Sequence, residues 1–473
     1  MADYLRKSMH ENEFVINNDK DRKEYTKMFF QKPLSFKQAG AWVFVHYMTI
    51  GIIQGYYQAV GYSLQANGAS DNDQSTFSLA LYPFSFKFLF SPLLDRFYIN
   101  RFGRSKTYVV NGGLIMGFIF CFLGGYVESM VREVKVVPLT ILMTAVLTIT
   151  CVVQIAGEAW ILTMFNKEDK AKASTLLGVG QILGVMLGYN IFTPLNDIDW
   201  LNDNIFTKNP IASPILSHTL FCFIVAGLYF SQIIFNILFI AEERITDGKA
   251  KDICKILAVV PRHFTNSHMR ALVFYMFGCR FIYFLIDFTL DLRLIRNGYL
   301  NMGRSTISNI DTMVFPVVFV LSTLTIYYMK QGILVRMFHL NTFVVVLLGA
   351  FRFITYLDLI HNQNYTRVYI CRLISGIISG MDFSQFFMMA FFNLVVNKAV
   401  GNTGITCLIA LLNQTMVLSR TIGLKASHYI EYEKFVPICL VIQTIFLIGL
   451  FKYALHLDTK NTKLYDTANL DST

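Results

Sequence analysis

Charge is what this chain has least of. Only 15% of its 473 residues are Asp, Glu, Lys or Arg, against 54% that are hydrophobic, and the mean hydropathy is +0.47. A soluble globule carries about 25% charged residues because its surface must be wet. The shortfall excludes an ordinary soluble enzyme and leaves lipid as the solvent. Proline (10 residues) is also scarce, so the helices that lipid demands have few built-in breaks. Cysteine supplies no framework. None of the eight cysteines forms a CxxC pair, and Cys121, Cys151, Cys222, Cys279, Cys371, Cys407 and Cys439 lie in apolar segments, where a thiol packs as a small hydrophobe. The histidines lack HExxH spacing, and there is neither a serine-centred elbow nor a phosphate loop. No catalytic residue, metal or cofactor is expected.

Long apolar runs take the place of all this. A helix needs about 20 apolar residues to cross the hydrocarbon core, since every backbone group must be hydrogen-bonded within it. Windows of that length place spans near 39–64, 74–94, 107–129, 138–165, 172–195 and 216–241, then 268–290, 303–329, 333–357, 366–391, 401–423 and 435–456. The expected fold is an all-α polytopic membrane protein of twelve transmembrane helices in two six-helix halves. Its parts are a polar N-terminal segment (1–38), the first half (39–241), an amphipathic linker (242–267), the second half (268–456) and a polar tail (457–473).

A formal charge of +10 could suggest nucleic acid, but the basic residues fall in short loops between apolar runs. A lipid bilayer is the expected partner, and no nucleic acid is. Lys and Arg concentrate in the N-terminal segment, the Arg96–Lys106 loop, the Lys167–Lys172 loop and the linker, while 65–73 has none. The positive-inside rule then puts both termini on the cytoplasmic side, or on the matrix side of a mitochondrial membrane. Small residues recur every fourth position at Gly51 and Gly55, at Gly180, Gly184 and Gly188, and at Gly376 and Gly380. Such stripes let helix backbones approach closely in lipid.

The segment Tyr82–Val110 carries the most information. An apolar helix runs into Asp95-Arg96, and a short loop follows with Arg101, Gly103, Arg104 and Lys106. An acidic helix end before a basic, glycine-containing turn resembles the second-to-third-span signature of the major facilitator superfamily. By that resemblance Asp95, Arg96, Arg101 and Arg104 form a conformational gate. Within the same stretch, Tyr82-Pro83-Phe84-Ser85, Lys87, Leu89, Pro92 and Asp95 resemble an element of the endoplasmic-reticulum acetyl-coenzyme A transporters. A second element of that family matches through Ala173, Ser174, Thr175, Val179, Gly180, Gln181, Gly184, Leu187 and Gly188. A third reads Gln154-Ile155-Ala156-Gly157-Glu158-Ala159-Trp160, where the family's second acidic position is Glu158 and its first has become Gln154. The resemblance is closest over 40–195. It implies a carrier of acetyl-CoA or another acyl-CoA, and Gln181 joins the candidate substrate-binding residues through it.

Ionisable residues at membrane depth are expensive and mark a cavity or a partner. Glu158 follows Gln154 by one helical turn on a shared face. Arg280, Phe284, Asp287 and Asp291 share a stripe of the seventh span, read equally well as a binding site or an internal Arg–Asp pair. Arg352, Arg372 and Arg420 suit a phosphate-rich ligand, or pair with acids such as Asp358 and Asp382. An acyl-CoA needs cations beside aromatic faces, which Lys87, Arg280, Trp160, Tyr56 and Tyr57 supply. The substrate-binding candidates are therefore Lys87, Gln154, Glu158, Trp160, Gln181, Arg280 and Asp287. Two readings follow. One is alternating-access transport in the endoplasmic reticulum. The other is a transporter-derived accessory subunit with protein partners in a larger membrane assembly, with the mitochondrial inner membrane as its place; Gln154 and the altered run Leu394–Lys398 motivate it.

Overall fold

The computed structural model describes residues 36–99, 103–165, 170–240, 267–295, 303–328, 347–357 and 401–455, with scattered positions between 366 and 377 and some side chains inside these helices excepted. Residues 1–35, 242–266 and 457–473 of the expected polar ends and linker lie outside the described residues, while 36–38 and 267 begin helices. All regular structure among the described residues is helical. In chain order the helices are α1 (Phe36–Ala66), α2 (Asp71–Ser78), α3 (Tyr82–Ser85), α4 (Lys87–Arg96), α5 (Arg104–Arg132), α6 (Val136–Met164), α7 (Lys170–Val185), α8 (Phe192–Asn196), α9 (Ile198–Asn204), α10 (His218–Phe239), α11 (Ser267–Ile295), α12 (Arg304–Tyr328), α13 (Leu347–Leu357), α14 (Gly401–Tyr429) and α15 (Tyr432–Leu455).

Four of these stretches are long and apolar enough to cross a membrane on length and composition alone: Arg104–Arg132, Val136–Ile161, Leu176–Asn196 and His218–Phe239. Their outer faces carry large apolar side chains, among them Ile115, Phe118, Phe122, Ile141 and Ile234, all exposed. In water such a surface would be a liability; against acyl chains it is the expected finish. α1 is built the other way. It buries His46, Thr49, Ser63 and Gln65, because neighbouring helices surround it.

Two of the expected spans are not continuous α-helices. The second runs from α2 through a tight 3-10 turn at Leu79–Leu81 to α3 and α4, with Pro83 near the break and Phe86 outside helical geometry. The fifth passes from α7 through a π-helical turn, Met186–Ile191, into α8. A π turn widens the ladder by one residue and re-aims the side chains beyond it.

The glycine stripes of α1 and α7 meet face to face. A Cβ at Gly51 would lie 2.1 Å from the Gln181 carbonyl oxygen, one at Gly184 2.0 Å from that of Met48, and one at Gly188 2.1 Å from that of Ile52. No side chain of any kind fits there. Backbone-to-backbone packing takes the place of the hydrophobic effect, which lipid removes as a force between helices.

Candidate functional site

The break at Phe86 sets Lys87 as the first residue of α4, and α6 brings Glu158 opposite. Lys87 Nζ donates to Glu158 Oε1 at 2.7 Å. The lysine side chain is 5% exposed and the glutamate 38%, so the pair has one buried and one accessible member. Sequence alone places both in a candidate set; the structure makes them an ion pair.

The other candidates are placed as follows. Gln181 Nε2 donates to Gln54 Oε1 at 2.8 Å across the α1–α7 seam. Gln154, half-buried, accepts the Tyr47 hydroxyl on its backbone carbonyl at 3.4 Å. Trp160 is buried edge-on against Trp42, with ring centroids 4.7 Å apart, and Trp42 Nε1 donates to Asn236 Oδ1 at 2.7 Å. Trp160 thus braces the wall that carries Glu158. Tyr56 belongs to an internal cluster with Phe192, Phe221 and His218. The side chains of Arg280, Asp287 and Arg372, together with Asp358 and Asp382, lie outside the described residues. So do the side chains of Asp95 and Arg96 and the whole of Arg101. Of the expected gate, Arg104 is described, half-buried at the start of α5. The loop there is tied back: the Ile99 amide donates to Thr107 Oγ1 at 3.1 Å, and Tyr108 donates to the Phe97 carbonyl. Lys106, buried, caps α10 by donating to the Ile240 carbonyl at 2.5 Å, a cation at the negative end of a helix.

At the opposite end of the bundle, helices from the first part of the chain are joined to helices from the second by a dense polar network. Ser70 caps α2 through a reciprocal pair with Asp73, which holds Asp71 in the first helical turn. Asp71 Oδ2 then meets Arg293 Nη2 at 2.9 Å, with the two side chains 2% and 9% exposed. Arg293 also donates to the Ser427 carbonyl at 2.8 Å, and Ser427 Oγ donates to Asp71 at 3.3 Å. That carbonyl is in the last turn of α14, where no amide of the helix reaches it. Beside this triad, Tyr62 donates to Asp291 at 3.2 Å, Ser75 to the Thr421 carbonyl at 2.9 Å, and Ser78 lies 2.7 Å from the Thr421 hydroxyl.

A second cluster flanks it at the start of α12. Arg304 donates to Ser63 and to the Asn196 carbonyl, and its Nε lies 3.7 Å from Asp197. Ser305 donates to the same carboxylate at 2.5 Å, and Asp197 also accepts the Trp200 amide as the cap of α9. Deeper, Asn190 donates to the Ser308 carbonyl at 2.9 Å and Tyr189 to Asp311 at 3.2 Å. Asn190 and Tyr189 belong to the π turn, so that irregularity aims two donors at α12.

Directly before Thr421 of this network, Arg420 of α14 projects toward α1 and α11. Its guanidinium carbon lies 5.5 Å from the centroid of the Tyr57 ring and 5.0 Å from that of Phe288. Arg352 is also buried, in α13. Sequence reasoning missed Asp71, Asp197, Arg293 and Arg304. Their only linear signal is position: acids at the start of short helices, and two arginines flanking the stretch between α11 and α12.

Comparison with known proteins bears on this arrangement. The family model described as acetyl-coenzyme A transporter 1 matches residues 42–268. An uncharacterized protein of Schizosaccharomyces pombe is 31% identical over 155 residues, which are 32% of this chain and 29% of that protein. The chain aligns with less than a third of the length of the curated relatives it matches. Among solved structures, the nucleoside transporter NupG superposes with a TM-score of 0.59 at 11% identity, over 88% of this chain and 98% of that one. FucP, described as a major facilitator superfamily transporter in the outward conformation, superposes with a TM-score of 0.53 at 12% identity, again over 88% and 98%. At such identities the likeness concerns the fold alone.

Proposed function

We propose that this chain, which over residues 42–268 belongs to the acetyl-coenzyme A transporter family, carries an acyl-CoA, acetyl-CoA first, across an internal membrane by alternating access. The observation that carries the mechanism is the polar network at one end of the bundle. Asp71–Arg293 and Asp197–Arg304 each join the two parts of the chain. Ion pairs of this kind are a two-state element: made, they shut one end; broken, they release it. A carrier needs such an element at the end away from its open side.

The substrate class follows from charge and family together. A coenzyme A thioester bears several negative charges and an adenine ring, so it calls for cations set beside aromatic faces. Lys87, held by Glu158, and Arg420, over Tyr57 and Phe288, are the described groups that fit. Solute arriving at Lys87 would exchange one anion for another, with Glu158 free to turn to the accessible side. By resemblance to the endoplasmic-reticulum acetyl-coenzyme A transporters, the endoplasmic reticulum is the membrane we propose, which imaging of a tagged full-length chain against organelle markers tests.

Purified protein in liposomes is expected to take up labelled acetyl-CoA, and Glu158→Ala to reduce the initial rate at least about tenfold, as loss of a charge-assisted hydrogen bond predicts. Liposomes that take up no acetyl-CoA, long-chain acyl-CoA or free coenzyme A would defeat the substrate reading.

A further inference from the structure

We propose that Arg420 is the recognition point for a phosphate group of the transported solute. The proposal deepens the carrier reading above and rests on it. Arg420 is 6% exposed and directly precedes Thr421, whose carbonyl and hydroxyl belong to the polar network. Among the described residues its contacts are aromatic, the rings of Tyr57 and Phe288, and its Nε is buried without a hydrogen-bond acceptor. The acids of that region are engaged elsewhere: Asp71 with Arg293, and Asp291 with Tyr62. Aromatic faces attract a cation and leave its donor edge unused, because the π cloud takes the charge and not the N–H directions. A guanidinium so held is fixed in plane with its fork unpaired, the geometry that matches two oxygens of a phosphate.

The groups around the guanidinium are closely set. Tyr57 is itself stacked on Phe77, with centroids 4.8 Å apart and planes 9° from parallel, so it cannot swing away from the arginine without breaking that stack. Gly61 forms the adjoining wall: a Cβ there would lie 3.6 Å from Arg420 Nη2 and 3.7 Å from Gln74 Oε1. Gln74 Oε1 is buried with no donor, while its amide nitrogen is spent on the Gly61 carbonyl at 2.7 Å. An acceptor beside an anion site suits a solute that carries hydroxyl or amine hydrogens next to its phosphate.

The test is equilibrium binding of labelled acetyl-CoA to the full chain in a phosphate-free detergent, with inorganic pyrophosphate as competitor. Wild type, Arg420→Gln and Arg420→Lys are compared, with native mass spectrometry to detect retained phospholipid. Arg420→Gln is expected to weaken binding about ten- to a hundredfold and to abolish competition by pyrophosphate. Arg420→Lys keeps the charge, and so the fold if the glutamine variant is lost, but loses the fork; about tenfold weaker binding is expected of it. Wild-type affinity in a folded variant would overturn the proposal while leaving acyl-CoA transport intact. Binding of pyrophosphate alone, dependent on Arg420, would uphold the site and remove acyl-CoA as the solute. A phospholipid retained by wild type and lost from Arg420→Gln would assign the arginine to a lipid headgroup and overturn it, as would binding of neither probe.

Discussion

Asp71 and Arg293 have no water to fall back on, being 2% and 9% exposed. Removing one member of such a pair strands the other as an uncompensated charge, at a cost of about 3–5 kcal/mol, whereas replacing both by apolar residues of similar size is often neutral. Asp71→Ala should therefore lower the thermal midpoint in detergent sharply, and Asp71→Leu with Arg293→Met should recover most of the loss. A double variant no more stable than the single one would show that the pair's geometry, and not its charge, is what matters. The exposed pair Lys135–Glu133 is a useful contrast. Lys135 holds the Glu133 carboxyl below its usual value through a hydrogen bond and its charge. A lowered carboxylate favours the fold above its unfolded value and loses that contribution as pH falls through the folded one. With both side chains in solvent the contribution is screened, so Lys135→Ala should leave the melting curve unchanged between pH 5 and 8.

Among the elements, the seam between α1 and α7 has the least tolerance. Gly184→Ala drives a methyl to 2.0 Å from the Met48 carbonyl oxygen, which neither backbone can yield. Gly178, six residues earlier in the same helix, faces open space. Gly178→Ala should be neutral or stabilising by up to about 1 kcal/mol, the ordinary helix gain, while Gly184→Ala should abolish a monodisperse peak in size-exclusion chromatography. Equal behaviour of the two would contradict the close approach. The element boundaries follow the apolar runs well: the spans expected at 216–241 and 303–329 are helices His218–Phe239 and Arg304–Tyr328. The second span differs. Its helix begins at Asp71, earlier than the apolar run that starts near 74, and it breaks at Leu79–Phe86. Hydropathy treats Asp71 as outside the membrane because it sees no partner, and Pro83 was the sole linear sign of the break.

For the whole molecule, the claim at stake is that the network end opens and closes. Ser78 and Thr421 hydroxyls are 2.7 Å apart and come from α2 and α14, near enough for a disulfide once both are cysteine. In a background cleared of the native thiols, Ser78→Cys with Thr421→Cys should transport acetyl-CoA when reduced, lose uptake on oxidation and regain it with reductant. Uptake that survives cross-linking would mean this end stays shut throughout the cycle. Much of the molecule is local in origin. Apolar length, small-residue stripes and the scarcity of charge determined helical spans, a lipid environment and glycine faces fit for close approach, because each depends only on neighbours along the chain and on the thickness of the bilayer. Motif spacing likewise brought Lys87 and Glu158 into one set. Pairing is not local. Which acid meets Arg293, why Arg420 faces rings, and where the broken second span aims its side chains were decided by tertiary structure alone, since the energy of a buried charge depends on groups contributed by distant stretches of sequence.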